Sequence, residues 1–152
     1  ALVDDEDYDR LMAMGKWHLN NNGYAAKSEK YRKEDGSIGN RTILMHRFIM
    51  EAPKGMEIDH WDLEKLNNQQ CNLRICTRKE NARNQGKNKA NTSGYKCVYW
   101  YGKYGKWVTQ IRINNKQITL GYFQNIHDAA KAYNEAAIKH YGEFARLNEI
   151  PQ

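Results

Sequence analysis

The chain has 152 residues, 28% charged and 40% hydrophobic, with a formal net charge of +6 and a mean hydropathy of −0.94. That leaves room for one ordinary domain or two small ones around a modest or divided core. No apolar run approaches the roughly 18 residues of a membrane span, and Cys71, Cys76 and Cys97 form neither a CxxC pair nor an even disulfide framework, so a cytoplasmic protein with reduced thiols and no membrane partner is expected.

Along the chain, VDDEDYDRLMAM reads as a short helix with its acids gathered in the first turn, where the helix dipole favours them. KWHLN, YAAKSEKYR and NRTILM read as the strands of a meander, since NNNG and EDGSIGN between them supply the residues of tight turns. HRFIMEA fits one or two helical turns ended by Pro53. MEIDH is then a strand, residues 61–71 a loop, NLRICT a second strand, and RKENARNQ a short helix with Thr77 and Glu80 as a capping box. GKNKANTSG, polar and basic with glycine at both ends, reads as a linker. Beyond it YKCVYWY, KWVTQIRI and KQITLGYF are three strands, and a helix follows over about 126–141 with Asn125 as its cap.

Charge is unevenly spread. Residues 84–123 carry seven Lys/Arg and no Asp or Glu. A polyanion is the natural partner of such a segment.

The chemistry concentrates in EIDHWDLEKLNNQQCNLRICTRKENARN, residues 57–84. Adjacent strand residues point to opposite faces, but at a strand end Asp59 and His60 can reach one site. The following helix brings Asn81 across towards them, with Asn84 as a rival one turn on. Asp and Asn oxygens suit a hard divalent ion such as magnesium, with manganese as the alternative, and an imidazole beside it can take a proton from water. His46 is expected to play a structural or supporting role, and His18, His127 and His140 carry no motif.

These residues resemble the HNH nuclease family, in its phage and intron homing-endonuclease branch, closely over about residues 44–84. The resemblance implies that His60 is the general base and that Asp59 and Asn81 are metal ligands. Asn72 would brace the loop and orient the histidine. The chain departs from the family's Asn-Gly turn, carrying Trp61-Asp62-Leu63 instead. Leu63 stands where glycine would permit a left-handed turn, and Asp62 offers a further carboxylate.

Residues 93–148, with GKW, QIRI, LGYF and DAAKAYNEAA, resemble the plant ethylene-response (Apetala-type) DNA-binding domain. That resemblance implies a sheet that enters the DNA major groove with a helix behind it. Cys97 stands where that family has glycine, and Tyr99 and Tyr101 where its plant members carry arginines. Alternation turns Trp107, Thr109, Ile111, Ile118 and Leu120 towards the helix. It leaves Tyr99, Tyr101, Lys106, Gln110, Arg112, Gln117 and Thr119 outward, to meet DNA together with Lys87, Lys89, Lys103 and Lys116.

The expected architecture is therefore α+β. An N-terminal β-meander leads into a ββα-metal nuclease unit (residues 1–84). A linker (85–92) and a three-stranded antiparallel sheet packed on one helix (93–152) follow. The expected function is a metal-dependent endonuclease, monomeric, acting on double-stranded DNA. The alternative is a catalytically impaired, HNH-derived DNA-binding protein.

Overall fold

The computed structural model describes residues 1–151. The chain folds as two compact units, Ala1–Asn81 and Ala82–Gln152, and the described residues form three small antiparallel sheets and four α-helices. No helix among the described residues is long and apolar enough to cross a membrane.

In the first unit, helix α1 (Asp5–Ala13) precedes the sheet of β1 (His18–Leu19), β2 (Ala25–Arg32) and β3 (Ile38–Leu44). Gly39 in β3 lets the Tyr31 ring lie across it, 2.9 Å from where a Cβ would stand. Helix α2 (Met45–Met50) is one and a half turns and stops at Glu51, whose φ is +47°, two residues before Pro53. Strands β4 (Glu57–His60) and β5 (Leu73–Cys76) pair antiparallel, with Glu57 opposite Cys76, Asp59 opposite Arg74 and His60 opposite Leu73. Helix α3 (Arg78–Asn84) opens on the capping box read from the sequence: Glu80 N donates to Thr77 Oγ1, and Thr77 N donates to Glu80 Oε2 at 2.8 Å. Leu11, Ala25, Met45, Ile49, Ile58 and Leu73 form the core, flanked by Trp17 and Phe48.

The acids that open α1 do more than complement its dipole. Asp4 accepts from the backbone N–H of Gln70 at 2.7 Å, and Asp7 accepts from the Gln70 side chain at 3.0 Å. Leu2 N donates to Leu66 O and Asn68 N donates to Leu2 O, so the chain start is pinned to the loop that follows β4.

In the second unit β6 (Val98–Tyr101), β7 (Lys106–Ile113) and β8 (Lys116–Phe123) form an antiparallel meander covered by α4 (Ile126–Tyr141). Asn125 caps α4 by accepting from His127 N at 2.7 Å. Ala129, Ala130 and Ala137 are buried, and such small residues let the helix lie close on the sheet, where Val98, Trp107 and Phe123 pack against it. The expected linker is not slack. Asn91 accepts from Gly94 N and donates to Tyr95 O, and Lys96 Nζ donates to the last carbonyls around α3, Arg83 O and Gln85 O.

Candidate functional site

His60 is the last residue of β4 and is 6% exposed; Asp59 beside it is 3% exposed. Strand alternation puts them on opposite faces of the small sheet. On one face lie Glu57, Asp59, Arg74 and Cys76, with Asn81 reaching in from α3. Arg74 and Asp59 form an ion pair directly across the strands. Asn81 donates Nδ2 to Glu57 Oε2 at 2.7 Å. Negative charge dominates locally: after burial, Asp59 and then Glu57 push the Cys76 thiol up to about 11.

On the other face, the His60 ring meets His46 edge-on at 5.1 Å and Tyr24 at 5.9 Å between centroids. Its Nε2 lies 3.4 Å from Asn68 Oδ1. An amide oxygen only accepts, so this contact favours the tautomer in which Nε2 carries the proton. Burial lowers the His60 pKa, against the opposing pull of the Asn68 bond and of Asp62 and Asp59. His46 is 5% exposed, its pKa is pushed down to about 4 by burial and by His60, and its Nδ1 has no hydrogen-bond partner.

The loop between the strands is organised by Asn72. Its Nδ2 donates to Asp62 Oδ1 and to Asn67 O, both at 2.9 Å, and its Oδ1 accepts from Asp62 N at 3.1 Å. Asn67 Nδ2 donates to the second oxygen of Asp62 at 2.8 Å. The Asp62 carboxylate thus braces the loop through both of its oxygens. Burial acts to raise its pKa, but the bonds from Asn67, Glu64 N–H and Asn72 outweigh that and lower it. Leu63 adopts φ +71°, so the left-handed position of a glycine-bearing turn is kept by a leucine.

The four sequence-predicted residues are thus distributed over both faces. Asp59 and Asn81 lie towards one face and His60 towards the other at the strand end, where Asp59 still acts electrostatically on His60 and Tyr24, and Asn72 holds the loop. Asn84 is buried in the second unit. Glu57, Asn68, Arg74 and Tyr24 were not singled out from sequence. Glu57 could have been, because two residues before Asp59 on a strand means the same face.

No group of three or more His, Cys, Asp or Glu among the described residues could hold a metal ion by itself. The oxygen donors on one face are Asp59 and Glu57, with Asn81 bonded to Glu57. Hard oxygens in a partial shell fit magnesium, which keeps several waters and binds through one or two carboxylates.

In the second unit, cross-strand pairing sets Tyr99 beside Val108 and Val108 beside Tyr122 on the face away from α4. Lys106, paired with Tyr101, and Arg112, paired with Gln117, lie on the same face. Gln110 donates to Thr119 Oγ1 at 3.1 Å and accepts from Gln117. Lys103 lies in the β6–β7 turn and Lys116 opens β8 just after the second turn, Lys89 is exposed, and Lys87 Nζ donates to Gly94 O at 2.8 Å. Thr109 and Ile111 are buried as expected. Ile118 pairs with Ile111 on the helix face, yet it stays 42% exposed because β8 is an edge strand. Cys97, at the family's glycine position, has φ +60°.

Residues 45–83 match the model of the HNH endonuclease family. The chain is 28% identical over 155 residues to an uncharacterised HNH endonuclease, L560, of Acanthamoeba polyphaga mimivirus, covering 92% of this chain and 70% of that protein. It is 35% identical over 95 residues to Protein 3.8 of Escherichia phage T7, covering 62% of this chain and 78% of that protein. A 60-residue segment is 40% identical to APETALA2-like protein 2 of Oryza sativa subsp. indica, but spans only 14% of it. No solved structure matches. The strands, loop and helix around His60 thus belong to an HNH endonuclease domain. The chain belongs to one family with Protein 3.8 of phage T7.

Proposed function

We propose that this chain is a metal-dependent endonuclease of homing-endonuclease type that hydrolyses phosphodiester bonds in double-stranded DNA. The observation that carries the reading is His60, a buried imidazole whose pKa burial lowers, favouring the neutral form, and whose ring is fixed by Asn68, His46 and Tyr24. A general base needs that protonation state and a fixed orientation. His60 takes the proton of the attacking water. Asn72 and Asp62 hold the loop that carries Asn68, and Tyr24 and His46 fix the ring from behind. Asp59 and Asn81 would hold the divalent ion, most simply magnesium, with Glu57 orienting Asn81. That ion, when bound, would stabilise charge on the phosphate and its leaving oxygen.

The second unit supplies affinity for the duplex through the outer face of its sheet, in the manner its resemblance to plant ethylene-response domains implies. The acid-free segment 84–123 supports this. Gln110, Gln117 and Arg112 suit base edges, and Lys103, Lys106 and Lys116 suit phosphates.

A second reading, a DNA-binding protein whose nuclease unit is impaired, is favoured by one observation: Arg74 already neutralises Asp59. One assay separates the two. Plasmid DNA is incubated with purified protein and magnesium, with and without EDTA, alongside His60→Ala. Nicking or linearisation that EDTA abolishes, and that falls about 100- to 10,000-fold in the variant while DNA binding persists, is the expected result. Binding without any cleavage would establish the second reading.

A further inference from the structure

The outer face of the second unit's sheet has two halves of different chemistry. One half is polar: Arg112, Gln117, Gln110 and Thr119 are linked in register and by hydrogen bonds. The other half is a continuous patch of tyrosines. Tyr101 and Tyr104 meet at 5.1 Å, Tyr104 and Tyr122 at 5.3 Å, and Tyr101 and Tyr122 at 6.1 Å between ring centroids. Tyr99 adjoins them across Val108.

The patch owes its existence to a bulge. Thr109 pairs with Gly121, but Gln110 pairs with Thr119, so Leu120 is an extra residue in β8. The bulge resets the alternation and puts Thr119 and Tyr122, three positions apart, on one face. Val108 beneath the rings is 1% exposed although it points away from α4, while Tyr104 and Tyr122 remain 53% and 47% exposed. The rings are therefore supported from below and fixed edge-to-face against one another, at interplanar angles of 54° to 77°. Rings held this way present a firm apolar surface at low entropic cost, rather than separate flat platforms on which bases could stack.

An apolar patch needs a partner that is apolar at the same place. Lys103, whose Nζ lies 5.7 Å from the Tyr104 ring centroid, and Lys106 border the patch within a segment that has no acidic residue, so the partner is also anionic. Duplex DNA meets both conditions at one chemical group, the C5-methyl of thymine, which is the apolar feature of the major groove. We infer that the tyrosine patch of Tyr99, Tyr101, Tyr104 and Tyr122 reads thymine methyl groups in the major groove, so that the second unit selects sites with a thymine-containing half beside a half read by Arg112, Gln110 and Gln117. The inference rests on the proposal that this unit binds duplex DNA.

The test uses the full chain in EDTA, where DNA is bound without being cut. Sites are first selected from a random duplex library. The selected duplex is then compared with the same duplex carrying deoxyuridine in place of thymidine, which deletes the methyl groups and nothing else. Thymine should be enriched at fixed positions, and the uridine duplex should bind about fourfold more weakly for each contacted methyl, the worth of one buried methyl group. A Tyr104→Ser, Tyr122→Thr variant, altered only at exposed rings, should discriminate between the two duplexes at least fourfold less than the unaltered chain. Equal binding of both duplexes by the unaltered chain, with affinity still falling as salt rises, would overturn the thymine reading and leave DNA binding intact. Failure to bind any duplex at low salt would overturn both and make the patch a protein-docking face.

Discussion

Asn81 on α3 donates its amide hydrogen to Glu57 on β4, Nδ2 to Oε2 at 2.7 Å. The bond spans 24 residues of sequence and turns the amide oxygen away from Glu57. If Asn81 and Asp59 hold the metal, Glu57 fixes which end of the amide faces it. Glu57→Ala should then raise the magnesium concentration needed for half-maximal cleavage severalfold. Asn81→Ala should raise it further and Asp59→Ala most, because that removes a charge. A magnesium titration of plasmid cleavage measures all three, and an unchanged requirement in Asp59→Ala would remove the ligand assignment.

Arg74 and Asp59 are a buried ion pair, with side chains 16% and 3% exposed. Removing one partner leaves a buried charge without compensation. Arg74→Met should destabilise the first unit by about 3–5 kcal/mol. Urea unfolding followed by tryptophan fluorescence reads this through Trp17, which packs against the core of that unit.

Leu63 sits at φ +71°. A left-handed conformation costs an L-residue roughly 1–2 kcal/mol, while glycine adopts it freely. Leu63→Gly should therefore raise stability by up to about 1 kcal/mol, once the greater freedom of glycine in the unfolded chain is deducted. A lower denaturation midpoint would mean that the leucine side chain contributes more by packing than its backbone loses.

His46 carries a pH signature. Its folded pKa is pushed down to about 4, whereas an unfolded histidine titrates near 6.5. Between those values the unfolded chain binds the extra proton, so stability rises with pH. Expressed from neutral pH downward, His46 should remove stability as pH falls from about 6.5 to 4, by up to roughly 3 kcal/mol. His46→Phe should flatten that part of a pH–stability profile.

The unit boundary matters for dissection. Lys96 Nζ donates to Arg83 O and Gln85 O, so the end of α3 packs as part of the second unit. A fragment starting at Ala82 should be more stable to heat than one starting at Ala90. Its DNA affinity should fall by about 0.9 log units per tenfold rise in salt for each phosphate neutralised. Lys106→Ala should weaken binding to all sequences alike, and Arg112→Ala should relax base preference.

Much of this protein was determined by sequence alone. Turn residues, capping residues and hydrophobic periods are local signals, and they sufficed to locate the helices, the strands and the Thr77–Glu80 capping box. The resemblance of residues 44–84 to HNH nucleases was legible because the motif lies in one short contiguous stretch of chain. Even the departures at Leu63 and Cys97 were legible, since both fall where the backbone is left-handed. What only the tertiary structure decided are relations between distant residues. The acids of α1 bind Gln70 as well as complementing their own helix dipole, and Asp62 braces the loop because Asn67 and Asn72 fold back onto it. Arg74 meets Asp59 through strand register, and Asn68 reaches His60 across the loop while its backbone N–H donates to Leu2 O. In the second unit one extra residue, Leu120, reverses the alternation of β8 and brings Tyr122 to the outer face. A period-two pattern carries no mark of such a bulge, because the backbone geometry that creates it is set by pairing with β7.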